Sequence, residues 1–211
     1  MATIIWDEMG KRVYEIGVSK GVFYDSDGYG VAWNGLTSVE ETTANEVQSV
    51  YFDGAKVNDI VSIGDFSATL KAFTYPDEFL PYEGVLQDVE GVLVTGQLVN
   101  RFGLSYQTKI GNDVKGVDFG YKIHLLYNLT AIPSQRNYST MTLDVEPIEF
   151  EWAITSIPEI IDNYRPTAHV IFDSTKIDSY LLTDLKNIIY GTASADPQLP
   201  SLNTIINYIQ T

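Results

Sequence analysis

The sequence predicts an α+β protein, mainly an antiparallel β-sandwich or partly open barrel, with a C-terminal flanking helix and a second short helix. Three observations lead there. Apolar and polar residues alternate with period two along most of the chain. Apolar stripes at helical spacing sit near the C-terminus. Gly, Pro, Asn and Asp gather between the alternating runs, where turns are needed.

Taken in order, Val13–Tyr24 is rich in Val, Ile and aromatics and reads as a strand. Residues 38–50 form a weaker candidate, polar on both faces except at Val39, Val47 and Val50. Phe66, Ala68, Leu70 and Ala72 alternate with Ser67, Thr69 and Lys71. Leu104, Tyr106 and Thr108 lead to the turn signal Ile110-Gly111-Asn112-Asp113. Phe119, Tyr121, Ile123, Leu125 and Tyr127 share one face of a strand whose other face carries Gly120, Lys122 and His124. Ile148, Phe150, Trp152 and Ile154 alternate with Glu149, Glu151 and Ala153, and residues 168–173 give a further strand. Asp178 suits an N-cap, Leu181, Leu182, Leu185, Ile188 and Ile189 make one stripe, and Gly191 is a C′ stop. Ser201 caps a short second helix with Leu202, Ile205, Ile206 and Ile209 on one face. The expected organisation is an N-terminal strand region or arm over 1–32 and a β domain over 33–191, with its helix at about 178–190. A linker with a short helix or arm follows over 192–211. Two long irregular segments, 25–35 and 75–91, are expected as loops.

The 211 residues suffice to bury a core, and a content of 45% hydrophobic and 12% aromatic residues excludes a disordered acidic chain. Zero cysteine excludes disulfides, thiolate metal sites and cysteine nucleophiles. Asp and Glu number 28 against 13 Lys and Arg, a net charge of −15 that argues against binding the outside of DNA or an anionic membrane. The charge is segregated: the balance is −11 over residues 1–100, +3 over 101–143 and −7 over 144–211. Acidic blocks around a basic middle suit copies that contact one another. Without a signal-peptide core or a long apolar run, the expectation is a soluble protein made in a cytoplasm.

No dinucleotide, P-loop or zinc-protease motif occurs. His124 and His169 lie in separate strands with no helper at motif spacing, and are expected to be structural. Asp25-Ser26-Asp27-Gly28 begins like a calcium loop but lacks its later ligands, so it reads as a turn. Glu149 and Glu151 project ~7 Å apart, as a glycosidase pair could, but sit on one strand and read as its wet face. Trp33, Tyr75, Phe79 and Tyr82 could stack sugars; packing onto the sandwich is the expectation. Catalytic residues, metal ligands and cofactors are all expected to be absent.

An ordered series of short words carries a resemblance. It begins with Trp33-Asn34-Gly35-Leu36-Thr37-Ser38-Val39, Tyr51-Phe52-Asp53-Gly54-Ala55-Lys56 and Phe66-Ser67-Ala68-Thr69-Leu70-Lys71-Ala72-Phe73. Tyr75-Pro76-Asp77-Glu78-Phe79, Phe102-Gly103-Leu104-Ser105-Tyr106 and Gly120-Tyr121-Lys122-Ile123-His124-Leu125 follow. Pro133-Ser134-Gln135-Arg136-Asn137-Tyr138-Ser139-Thr140, Pro147-Ile148-Glu149-Phe150-Glu151-Trp152 and Pro166-Thr167-Ala168-His169-Val170 complete it. Their order and spacing resemble the major tail proteins of long-tailed, non-contractile bacteriophages, notably those of actinobacterial hosts.

The resemblance implies a virion structural protein that self-assembles into stacked, commonly hexameric rings forming the tail tube. It implies a β-sandwich with a flanking helix, one sheet of which lines the lumen. It also implies tail tip, tape measure and tail terminator proteins as partners, with synthesis and assembly in the host cytoplasm. DNA is then only passing cargo, and an acidic wall would keep it from sticking. A closed inner barrel of about 24 strands, spaced ~4.8 Å and tilted ~40°, has a backbone diameter of ~48 Å and passes a ~20 Å duplex. Glu40 and Glu46 are the candidate lumen-facing residues. Lys109, Gly111, Asn112, Asp113 and Lys115 are the candidate inter-subunit contacts. The competing class is a non-catalytic β-sandwich adhesion or carbohydrate-binding module.

Overall fold

Residues 3–43, 46–62, 64, 66–133, 136, 138, 140, 147–161 and 164–209 are described by the structure, a computed structural model. The strands are β1 (Val13–Tyr24), β2 (Gly30–Trp33), β3 (Leu36–Thr43), β4 (Glu46–Phe52), β5 (Ala55–Ser62) and β6 (Phe66–Ala72). They continue as β7 (Val85–Val89), β8 (Val92–Thr95), β9 (Phe102–Asn112), β10 (Gly116–Pro133), β11 (Phe150–Ser156) and β12 (His169–Asp173). A 3-10 turn spans Asp77–Tyr82, and α1 (Ser179–Tyr190) and α2 (Leu202–Ile209) close the chain. This is the α+β, mainly antiparallel fold that the alternation predicts.

The main sheet runs β2-β1-β9-β10-β11-β6-β3, with β12 also on β10. It is an open sheet that curls over itself. The long strand β10 makes this possible by changing neighbours: residues 122–126 pair with β12, and 129–133 pair with β11. The change falls at Asn128, where φ is +52° and the register with β9 shifts. A strand bent at such an irregularity can pass from one layer of a sandwich to the other. The two ends of the sheet therefore face each other, and Trp33 on β2 lies 5.6 Å from Trp152 on β11.

Two cores result. Between the layers, Phe23, Trp33, Leu70, Phe79, Phe102, Leu104, Tyr106, Leu126, Trp152 and Ile154 are buried together. On the outside of β1, β9 and β10, Val22, Tyr24, Ile123, Leu125 and Tyr127 pack against Leu182, Leu185, Ile189, Leu202 and Ile205 of the helices. Both faces of β10 are thus covered, so its polar-looking face is interior too: His124 shares the inner side with Leu126. The Tyr24 hydroxyl donates to the Ile189 carbonyl at 2.7 Å, tying the helix to the sheet. Asp178 caps α1 by accepting from Tyr180 N and Leu181 N, and Gly191 follows it at φ +73°.

Two expectations change. Residues 38–50 are not one strand. β3 pairs with β6 in the main sheet, whereas β4 pairs with β5 in a separate two-stranded ribbon. Of the two long segments, 25–35 contains β2, and 75–91 contains the 3-10 turn and β7. The region 1–32 supplies β1 and β2 to the main sheet, β1 pairing with β9.

Candidate functional site

At one end of the inner core, seven side chains from six strands converge. β3 alternates, placing Val39 and Glu41 inward and Glu40 outward. Glu41 meets Tyr106 of β9, whose hydroxyl donates a short hydrogen bond to Glu41 Oε1. Tyr106 stacks on His124 of β10 with 4.5 Å between ring centroids and an interplanar angle of 8°. His124 Nδ1 is 3.1 Å from Nε2 of His169 on β12, and 3.6 Å from Glu41 Oε1. His169 Nδ1 lies 3.8 Å from Glu41 Oε2. On the far side of the His124 ring, Nε2 is 3.1 Å from Thr108 Oγ1 and 3.6 Å from Glu15 Oε1. Phe66 meets His169 edge-on at 5.1 Å.

Burial sets the protonation states. It pushes His124 below the usual imidazole value, outweighing the attraction of Glu41 and Glu15. It pushes His169 down to about 4, again against the Glu41 charge, with His124 adding to the shift. Both rings are therefore neutral at pH 7. Burial and the Glu41 carboxylate push the Tyr106 phenol up, so it remains a donor. Burial also acts to raise Glu15, but the Lys122 ammonium and Thr108 hydroxyl together outweigh it and hold the carboxyl below its ordinary value.

The histidines are structural in the sense of being hydrogen-bonded, but sequence reasoning missed that they meet. It also singled out Glu40 rather than its neighbour Glu41. Glu40 is exposed and pairs with Lys71 at 3.0 Å. Glu46 opens β4, paired with Ser62, on a different strand from Glu40. Lys109 and Lys115 are exposed, with Lys115 lying 5.7 Å over the Phe119 ring. The turn between them is engaged within the chain. Asp113 Oδ1 accepts from Gly10 N at 2.9 Å. Asn112 Oδ1 accepts from Val114 N and Lys115 N, and Asn112 Nδ2 donates to Gly10 O. Gly111 lies under the Tyr14 ring, where an added Cβ would come within 2.4 Å of Tyr14 Cζ.

Other motifs settle plainly. Asp25 Oδ1 accepts from Asp27 N and Tyr29 N, and Gly28 has φ +87°, so the aspartate sequence is a turn. Trp33, Phe79 and Tyr82 are buried in the inner core, and Tyr75 packs beside them, which removes them as a sugar-stacking platform. Glu149 precedes β11 and accepts from the Thr37 hydroxyl at 2.7 Å.

The β4–β5 ribbon presents a different surface. Val47, Tyr51, Phe52, Val57 and Ile60 are each more than half exposed. Among the described residues, the ribbon's two strands pair with each other and with no other strand. The β7–β8 hairpin repeats the pattern with Val89, Val92 and Leu93. Among the described residues, no helix is long and apolar enough to cross a membrane.

No known family model matches the chain, and no curated protein is similar to it at a significant level. Solved structures give remote likenesses. One is a chain of the sheath–tube complex of a PVC extracellular contractile injection system in the extended state. It is 12% identical with a TM-score of 0.38, covering 73% of this chain and 88% of that one. Another is from the anti-feeding prophage baseplate, at 11% identity and TM-score 0.36, covering 84% and 100%. A third is from the tube-terminating cap of the anti-feeding prophage, at 12% and 0.38, covering 82% and 97%. Likeness this remote decides neither fold nor function.

Proposed function

We propose that the protein is a structural subunit of a phage-like tail tube, assembling with copies of itself into stacked rings. The observation that carries this reading is the exposed β4–β5 ribbon. A lone two-stranded hairpin is marginal in water, and a row of exposed Val, Tyr, Phe and Ile marks a surface made to be covered. The ordered series of sequence words supplies the partner: a second copy of the chain. The segregation of charge into acidic ends and a basic middle favours the same self-association.

The finer assignments follow as part of the proposal. Rings are hexameric, and Glu40 and Glu46 face the channel, from β3 and β4 respectively. Genomic DNA passes this acidic wall as cargo. Lys109, Lys115 and the turn between them meet a neighbouring copy, and tail tip, tape measure and terminator proteins complete the particle in the virion. The sequence series resembles tubes of non-contractile tails, so no sheath is required by this reading. Residues 1–32 and 192–211 belong to the tube subunit itself, through β1 and β2 in the main sheet and α2 in the second core. Burial of the sugar-stacking candidates leaves the carbohydrate-binding alternative without a platform.

The absence of cysteine allows a clean test. Phe52→Cys should react readily with a maleimide in the dissociated chain and be protected after assembly. Labelling of assembled particles at the monomer's rate would contradict the reading.

A further inference from the structure

We propose that Glu41, His124 and His169 form a binding site for a divalent transition-metal ion, Zn²⁺ in particular, that clamps the free end of the curled sheet. The site is independent of the tube reading. One candidate ligand atom from each residue lies within 4.8 Å of the others. The separations of 3.1 and 3.6 Å from His124 Nδ1 bracket the ~3.3 Å edge of a tetrahedron with metal–nitrogen bonds of ~2.0–2.1 Å. Two imidazoles with one carboxylate select zinc-class metals over Mg²⁺ and Ca²⁺, which prefer all-oxygen sites.

Hydrogen-atom accounting strengthens the case. Thr108 sends its hydroxyl hydrogen to Glu15 Oε1 at 2.5 Å. Toward His124 Nε2 it therefore offers a lone pair, so His124 keeps its proton on Nε2. The His124 Nδ1 lone pair then faces His169 and Glu41. If neutral His169 carries its proton on Nε2, it satisfies His124, but its own Nδ1 lone pair faces Glu41 Oε2 at 3.8 Å. If the proton sits on Nδ1, two ring nitrogens meet lone pair to lone pair at 3.1 Å. In the second tautomer the two facing ring nitrogens and the Glu41 carboxylate each present a lone pair, which one cation can accept together.

The surroundings have the form of a metal's outer shell. His124 Nε2–H is oriented by Thr108 and Glu15, and the Tyr106 hydroxyl holds Glu41. The topology gives the ion a task. β10 and β12 are hydrogen-bonded neighbours, but among the described residues β3 is the last strand of the sheet and pairs only with β6. A metal bound to all three fastens that edge across the opening.

The test uses the full chain after chelator treatment, titrated with ZnCl₂ by calorimetry and with Co²⁺ by visible absorption. The expected result is one saturable equivalent, Co²⁺ bands of four-coordinate intensity, and shifts of both His124 and His169 ring ¹⁵N signals. His169→Gln and Glu41→Gln, checked for folding by circular dichroism, should each weaken binding at least ~10-fold, and Tyr106→Phe by about 10-fold. Glu90→Gln, in the β7–β8 turn, should leave it unchanged. Absence of a saturable equivalent overturns the proposal. So does equal binding by folded Glu41→Gln and His169→Gln, which would assign uptake to the diffuse acidic surface.

Discussion

Glu83 shows how a single residue can be both costly and necessary. Its side chain is fully buried, yet its carboxylate carries charge into the inner core. Oε2 accepts from Arg136 at 2.6 Å and from the Trp152 indole at 2.8 Å. Arg136 in turn lies over the Phe150 ring at 5.3 Å. Removing the cation strands a buried anion, so Arg136→Ala should destabilise the fold by about 3–5 kcal/mol, measured by denaturant unfolding. A loss below ~1 kcal/mol, the level of an exposed pair, would show that this pair is not doing so. Nothing in the sequence around Glu83 distinguishes it from the other acids. The aromatics were easier: Trp33, Phe79 and Trp152 are large, apolar and rarely left exposed, and all three are buried.

At the scale of elements, strands with one dry face were legible. β1, β6, β11, β12 and α1 lie where period two, period 3.6, the Asp178 cap and Gly191 place them, whereas β9 continues through the expected turn at Ile110-Gly111-Asn112 and turns only at Asp113. β5, β7 and β8 were missed because most of their residues bury nothing within the chain, and a strand without a dry face leaves no alternation to read. In the middle of β10, helices cover one face and the inner core the other, so the polar-looking face that carries His124 is interior, and the expectation of a structural histidine holds without showing where it sits. The histidine cluster is a product of topology, since residues of β3, β10 and β12 meet only after the sheet curls. The basic middle segment is also an element-scale matter. Lys115 is exposed, and Asn112 and Asp113 are engaged within the chain, so the lysines are the groups left free to reach a neighbour. Lys115→Glu should leave monomer stability within ~0.5 kcal/mol, while shortening assembled tubes and lowering their salt resistance, both visible by electron microscopy. Tubes of unchanged length and salt resistance would remove this contact from the account.

The whole molecule combines a well-packed curled sheet with ribbons that its own core does not use. Its net charge of −15 would hold copies apart unless acidic and basic regions are placed to meet. Of the basic middle segment, Lys122 and Arg136 pair with Glu15 and Glu83 within the chain, while Lys109 and Lys115 are exposed, and the exposed Tyr51 and Phe52 supply apolar area. The proposed self-association rests on this surface chemistry, and the proposed tube form on the resemblance of the ordered sequence series. The most direct measurement is electron microscopy of the purified full chain over a range of concentrations, carried to a three-dimensional reconstruction. Six-fold rings or stacked tubes are the expected result, with the β4–β5 ribbons between copies and Glu40 and Glu46 facing an open channel. Monodisperse single chains at every concentration, or particles without a channel, would contradict it.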